Sequence, residues 1–277
     1  MPNNDHQDLI LPEGCDTCAA KTGSGKTRRD FLKLLGQATV VLTAARFGAS
    51  AAGATETPPA EAHVAEQWDL HKWGMAVDVE KCIGCGRCVV ACKAENSVPK
   101  EPTYFRTWVE RYREYEDDVV VDSPNGGYDG FPADDGGRTP DRAFFVPKLC
   151  NHCDKAPCVQ VCPVGATFKT PDGAVLVDAS YCIGCRYCIQ ACPYGARYLN
   201  PVTQTADKCT LCYHRIHKGL KPACVENCPT GARIFGDLKD PNDPLRKYLH
   251  DHKVFVLKQQ LNTYPKVFYY GIDKEVR

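Results

Sequence analysis

An α+β fold, built of nested modules with long loops and a C-terminal extension, is what three features of this 277-residue chain predict. The first is cysteine spacing: sixteen of the eighteen cysteines lie between Cys82 and Cys228, in four groups of four that each close on Cys-x-x-x-Cys. The second is a set of short apolar stretches beside those groups, of strand length rather than helix length. The third is composition. Twenty prolines and twenty-two glycines suit loops, while two methionines and three tryptophans leave little to build an apolar core.

The groups are Cys82, Cys85, Cys88, Cys92; Cys150, Cys153, Cys158, Cys162; Cys182, Cys185, Cys188, Cys192; and Cys209, Cys212, Cys224, Cys228. Three of them run into Pro163, Pro193 and Pro229. This is the ligand run of bacterial ferredoxins, written once plainly and three times with variation. A CxxCxxC loop curls round one [4Fe–4S] cube and offers three thiolates. The cysteine four residues later points away and ligates a partner cube, and proline then redirects the chain. The count therefore predicts four [4Fe–4S] clusters with no thiolate of the four groups left over. Zinc is the remote alternative, because two CxxC pairs satisfy one ion, but zinc requires neither the repeated CxxCxxC nor the final step. A disulfide framework is disfavoured by the chain's length and the crowding of these cysteines into local loops. With the clusters as organisers, the apo-protein is expected to fold poorly.

The elements follow in order. Thr27-Arg28-Arg29-Asp30-Phe31-Leu32-Lys33 reads as a twin-arginine export signal, with an apolar stretch from Leu34 to Ala45 and A-x-A steps at Ala49–Ala51 and Ala52–Ala54. The stretch is too short for a spanning anchor, which requires about 20 residues. Residues 1–54 are thus assigned to a signal peptide that delivers a folded protein to the periplasm, at the outer face of the inner membrane. The Ala20-to-Thr27 match to a relaxed phosphate-binding loop lacks the strand-to-helix setting such a loop requires. Cys15 and Cys18 lie outside the four runs and belong to the leader.

Residues 55–73 read as a linker. From Gly74 the sequence becomes strand-like, Met75, Val77 and Val79 alternating with Ala76, Asp78 and Glu80. Ala174–Asp178 repeats that prelude before the third run, and strands are expected at Ala196–Leu199 and Ala232–Phe235. Lys81-Cys-Ile-Gly-Cys echoes Tyr181-Cys-Ile-Gly-Cys, an internal repeat. Residues 74–149 form a first ferredoxin half plus an inserted polar loop, Lys93 to Leu149, carrying turn signals at Ser123–Tyr128 and Asp134–Gly137. The short link from Pro163 to Tyr181 joins the second and third runs into a nested two-cluster module at 150–200. Residues 201–237 complete the outer module, and 238–277 form a docking tail in which Val254–Leu257 and Lys266–Gly271 read as a strand pair or an extended tail, their aromatics suiting a partner or closing the core. Cross-ligation then groups Cys82, Cys85 and Cys88 with Cys228; Cys209, Cys212 and Cys224 with Cys92; Cys150, Cys153 and Cys158 with Cys192; and Cys182, Cys185 and Cys188 with Cys162.

Cationic residues beside the ligands, namely Lys81, Arg87, Lys148, Lys155, Arg186, Lys208 and Arg215, either tune cluster potentials or are ordinary solvated charge. His152, His214 and His217 are expected to pack or hydrogen-bond, since each cube already has four thiolates. No nucleophile with a base, open metal position or nucleotide fingerprint is visible, so no catalytic residue is assigned. Equal numbers of basic and acidic residues, 34 each, leave no basic surface calling for nucleic acid.

Cys150-Asn-His-Cys-Asp-Lys-Ala-Pro-Cys158, Lys208-Cys-Thr-Leu-Cys-Tyr-His-Arg-Ile216 and Cys228-Pro-Thr-Gly-Ala-Arg-Ile-Phe-Gly-Asp237 resemble the four-cluster iron–sulfur subunits of the DMSO reductase family. Those of polysulfide and tetrathionate reductases, and the periplasmic ferredoxin subunit of the sulfite-reductase-associated membrane complex, are included. The resemblance covers Trp73 to about Asp273. It implies the nested pairing and a linear chain of cubes in anaerobic respiration. One end of that line is implied to serve a molybdopterin catalytic subunit, the other a polytopic quinone-reactive membrane subunit. The alternative is a membrane redox complex without molybdenum, linked to a multihaem cytochrome c. Lys93 departs from the proline of the other runs.

Overall fold

The computed structural model describes residues 70–132, 137–272 and 276. The export signal, most of the linker, the phosphate-loop match, Cys15 and Cys18 lie outside the described residues. Along the chain come β1 (Trp73–Asp78), α1 (Arg87–Glu95), β2 (Thr107–Glu114), β3 (Val119–Asp122) and β4 (Arg142–Leu149). Then follow α2 (Pro157–Gln160), β5 (Thr167–Lys169), β6 (Val175–Val177), α3 (Tyr187–Gln190), β7 (Arg197–Leu199) and β8 (Ala206–Lys208). The last are α4 (Tyr213–Ile216), α5 (Ala223–Glu226), β9 (Arg233–Asp237), α6 (Pro244–Asp251) and β10 (Val267–Tyr270).

The expected strands beside the runs form. β1 is the middle of the sheet β10-β1-β9, antiparallel to β9 with Val77 opposite Arg233 and parallel to β10 with Met75 opposite Val267. β5 pairs with β6, and β7 with β8, as two antiparallel hairpins. Every residue of β1 from Gly74 to Asp78 is buried. Helix α6 packs on β1 and β9. Asp243 caps α6 by accepting from the backbone N–H of Leu245 at 2.7 Å, and Pro244 at the first helical position fits the same start.

One expectation about the connecting segments changes. The polar insert is no loop: β2, β3 and β4 form an antiparallel sheet ordered β3-β2-β4. Its charges are paired across the ladder, which is why they hide the strand pattern. Arg111 lies opposite Asp122 and donates to both carboxylate oxygens at 2.9 Å, while Lys148 meets Glu110 at 2.6 Å. The C-terminal stretch takes the core-closing form of its two alternatives rather than that of an extended tail, with Phe255 bridging Tyr269. β10 closes the free edge of β1, Tyr269 is fully buried, and its hydroxyl donates to the Pro147 carbonyl at 3.2 Å. An unpaired β1 edge would leave a row of backbone donors and acceptors unsatisfied inside the core.

Proline placement sets helix length. The helices of the second, third and fourth runs, α2, α3 and α5, span four residues each before Cys-Pro turns the chain. The first run has Lys93 instead, and α1 continues for nine residues. The Lys93 side chain is buried, its ammonium donating to the carbonyls of Pro99 (2.8 Å) and Glu101 (3.0 Å) and lying 4.3 Å from the Phe105 ring centre. It thus ties the end of α1 to the entrance of the inserted sheet. Lys93→Met is expected to cost about 2 kcal/mol through the lost charged hydrogen bonds. For a protein of this size that lowers the holoprotein's thermal midpoint by about 4–8 °C, read by the bleaching of its visible absorbance on heating; an unchanged midpoint would show that the contact carries no weight.

Candidate metal centres

Each cysteine run follows a strand and wraps into a tight loop before a helical turn. In the first run Gly86 takes φ +68°, and a Cβ there would lie 2.0 Å from the carbonyl oxygen of Gly127, in the inserted segment. Glycine is needed because that segment presses on the loop. At the corresponding place in the third run Arg186 adopts φ +66°.

The structure brings Cys82, Cys85, Cys88 and Cys228 around one cavity. Cys92, Cys209, Cys212 and Cys224 line a second. In a third place Cys150, Cys158 and Cys192 surround the thiol of Cys153 closely enough to act on its charge. Of the remaining four, Cys182 and Cys188 share an apolar cluster with Cys158, and α3, which carries Cys188, packs on α2 just before Cys162. Helices α1 and α5 pack in the same way, joining the first run to the fourth.

These sets follow one another in space. Cys224 of the second set has Cys88 of the first as a charge neighbour. Cys209 of the second set has Cys150 of the third. Arg197 bridges Cys150 and Cys158 of the third to Cys188 of the last. Cysteines in the two inner sets are buried except the half-buried Cys192, whereas Cys85 and Cys185, one in each outer set, are exposed.

The surroundings favour a metal group whose core is cationic and which is anionic only together with its thiolates. Among the described residues no three His, Cys, Asp or Glu side chains are placed to hold a single ion. The first two thiol sets each line a cavity. Burial pushes the thiols of Cys82, Cys153 and Cys224 up to about 11 and that of Cys209 to about 12, so a bound cationic centre is needed to hold them as thiolates. Burial also acts on Cys162 and Cys228, but it is outweighed by the backbone N–H groups of Thr167, Val164 and Ala166 at Cys162, and by the Thr230 hydroxyl with the backbone N–H groups of Arg233, Ala232 and Thr230 at Cys228, so both thiols lie below their usual value.

N–H donors meet the sulfurs. Leu211, Thr167 and Ala206 donate from the backbone to Cys209, Cys162 and Cys182, each at 3.4 Å. The Asn96 amide lies 3.6 Å from both Cys92 and Cys212. Arg197 Nη2 donates to Cys158 at 3.0 Å, and Arg233 Nη2 to Cys88 at 3.4 Å. Nη1 of Arg233, which lines the first cavity, is buried without a hydrogen-bond acceptor in the protein. Inorganic sulfide in that cavity would supply one, so the donor set, the cavity and the orphaned N–H all fit an iron–sulfur group.

The flanking cations and histidines divide. Lys81 pairs with Asp78 at 2.8 Å, Lys148 with Glu110, and Arg215 with Glu95 at 2.9 Å and with Glu226. Lys155 lies over the Tyr264 ring, and Arg87 opens α1. Lys208 alone of the seven is buried among ligand thiols, its ammonium donating to the carbonyls of Cys209 (2.7 Å) and Val175. His152 accepts from the Val175 N–H at 3.0 Å, His214 bonds Glu95 at 2.7 Å, and His217 lies 3.3 Å from Asp172. Packing and hydrogen bonding are thus their roles here. Sequence reading passed over Asn96, Arg197 and Arg233. A signal for the arginines was present: Cys192-Pro-Tyr-Gly-Ala-Arg197 and Cys228-Pro-Thr-Gly-Ala-Arg233 repeat one motif.

Comparison with known proteins agrees with this chemistry. Two family profiles match, each described as a 4Fe-4S dicluster domain, over residues 81–166 and 142–238. The chain is 44% identical over 258 residues to a tetrathionate reductase subunit of Salmonella typhimurium, with 89% of each protein covered. Its identity to a tetrathionate reductase subunit of Archaeoglobus fulgidus is 50% over 196 residues, 71% of this protein and 80% of that one. A polysulfide reductase component of Wolinella succinogenes is 37% identical over 198 residues, 71% of this protein and 93% of that one.

Proposed function

The polypeptide belongs to the family of 4Fe-4S dicluster iron–sulfur subunits that includes those of tetrathionate and polysulfide reductases, and on that premise we propose how its four thiol sets serve electron transfer. It is an electron-transfer subunit of a membrane-associated oxidoreductase complex. The sixteen cysteines hold four [4Fe–4S] clusters in the cross-ligated sets described above, with the module of the second and third runs nested inside that of the first and fourth. When bound, each cluster supplies a one-electron couple within a range of roughly −700 to +450 mV.

The observation that carries this reading is the line of four thiol sets, buried at its middle and exposed only at Cys85 and Cys185. Thiolates space the centres, backbone and side-chain N–H groups stabilise negative charge on the sulfurs, and the packing around Cys92, Cys209, Cys212 and Cys224 keeps water from the inner sets. The two exposed ends are where electrons enter and leave. One faces a quinone-reactive polytopic membrane subunit and the other a molybdopterin subunit acting on a sulfur compound. The Arg28-Arg29 signal would bring the folded protein to the periplasmic face of the inner membrane. Among the described residues no helix is long and apolar enough to cross a membrane.

The test is purification of the native complex with metal analysis. About sixteen iron and sixteen sulfide per polypeptide, with a membrane subunit and molybdenum in the same particle, are expected. A multihaem cytochrome in place of molybdenum would shift the reading to a complex of the other kind. Zinc without sulfide would end it.

A further inference from the structure

Three cations are buried among the cysteines: Arg233 at 3%, Lys208 at 1% and Arg197 at 5% exposure. Their neighbours place them at successive steps. Arg233 is in charge contact with Cys82 and Cys88 of the first set and Cys224 of the second. Lys208 stands among Cys209 of the second set and Cys150 and Cys158 of the third. Arg197 is in charge contact with Cys150 and Cys158 of the third set and Cys188 of the last.

The settings of the two arginines repeat. Each follows Cys-Pro-x-Gly-Ala, opens a strand, donates to a ligand sulfur and donates to a threonine hydroxyl, Thr107 for Arg233 (2.8 Å) and Thr167 for Arg197 (3.3 Å). Lys208 is held by two carbonyls, which leaves its charge uncancelled by any carboxylate among its described partners. A buried cation without an anion is strongly unfavourable. Three of them, each wedged between two thiol sets, call for anionic groups on both sides.

We propose that Arg233, Lys208 and Arg197 are one positioning residue for each of the three cluster-to-cluster steps, each raising the reduction potentials of the two clusters it separates. The inference rests on the reading that each thiol set holds a cluster. Positive charge close to a cluster stabilises its reduced form, and a cation placed between two clusters acts on both. It also weakens the repulsion an electron meets when the neighbouring centre is already reduced. Placing one at every step keeps the line level, so that no centre becomes a trap at the expense of the next.

The signature is an overlapping pattern, readable without any partner enzyme. Arg233→Gln, Lys208→Gln and Arg197→Gln are made in the full-length protein, with iron and sulfide assayed before EPR-monitored redox titration. Arg233→Gln is expected to lower the potentials of the first two clusters only, Lys208→Gln the middle two, and Arg197→Gln the last two. At a fixed poise the reduced-to-oxidised ratio of each affected cluster falls about tenfold, equivalent to about 59 mV for a one-electron couple. Should a glutamine variant lose iron, Arg233→Lys or Arg197→Lys replaces it. An ammonium keeps the charge but not the guanidinium's directed N–H···S bond to Cys88 or Cys158, so the potential of the cluster holding that cysteine must still fall. Unchanged potentials in fully loaded variants, or an equal shift of all four clusters, overturn the proposal. Absence of iron and sulfide from the unaltered protein instead overturns the cluster reading beneath it.

Discussion

Stripped of iron and sulfide, the segment from Trp73 to Ile272 is expected to lose its tertiary structure altogether. The elements are too short to stand alone. Helices α2 to α5 span four residues each, far below the roughly 12–15 at which isolated helices become even marginal. The β5–β6 and β7–β8 hairpins have three residues a strand, and isolated two-stranded hairpins are marginal in water. The smaller apolar cluster consists of Cys153, Ala156, Cys158, Val175, Cys188 and Ala206, so half of it is ligand. Removing the anionic clusters would also strand Arg233, Lys208 and Arg197 as uncompensated buried charges, each destabilising by about 3–5 kcal/mol when one partner of a buried pair is lost. Together these rival the whole net stability of a domain. Oxidative stripping with a chelator should abolish near-UV circular dichroism and expose the polypeptide to limited proteolysis. An apo-protein that stays native by both measures would show that the polypeptide packs without its cofactors.

Replacing a thiol in the middle of the line should have the largest effect on function. Cys209→Ala removes a fully buried ligand of the second set, and iron should fall from about sixteen to about twelve per polypeptide, four per cluster. Because the second set lies between the first and the third, electron transfer from one end to the other should be abolished while both outer clusters remain reducible. Cys185→Ala, in an exposed loop of the last set, should lose the same amount of iron yet leave the other three clusters able to equilibrate. Iron content, EPR of the reduced protein and end-to-end turnover in the complex distinguish the two. Turnover surviving in Cys209→Ala with four irons missing would mean that the sets do not form a single line.

These outcomes depend differently on sequence. The CxxCxxC loops and their following cysteines are local chemistry, closed over a dozen residues, and their spacing alone specifies what they can hold. The strands at 175–177, 197–199 and 233–237 were legible for the same reason. The β2–β4 sheet was hidden because Arg111, Asp122, Lys148 and Glu110 are paired with one another across strands rather than exposed to water, and periodicity reads such residues as loop. Lys93 stood out as a departure from proline, yet its partners lie in the segment beyond α1 and could not be inferred from the substitution.

By itself, then, the sequence determined the spacing of the cysteines within each run and the short elements that carry them, since both are read along the chain from neighbouring residues. Only the tertiary structure decided that the sets stand in a line with buried middles and exposed ends, that β10 seals β1, and that a cation stands at every step. Those facts come from contacts such as α1 on α5 and Arg233 against Cys88, 145 residues apart. No local pattern encodes a distance of that kind; it arises only when the whole polypeptide closes around its centres.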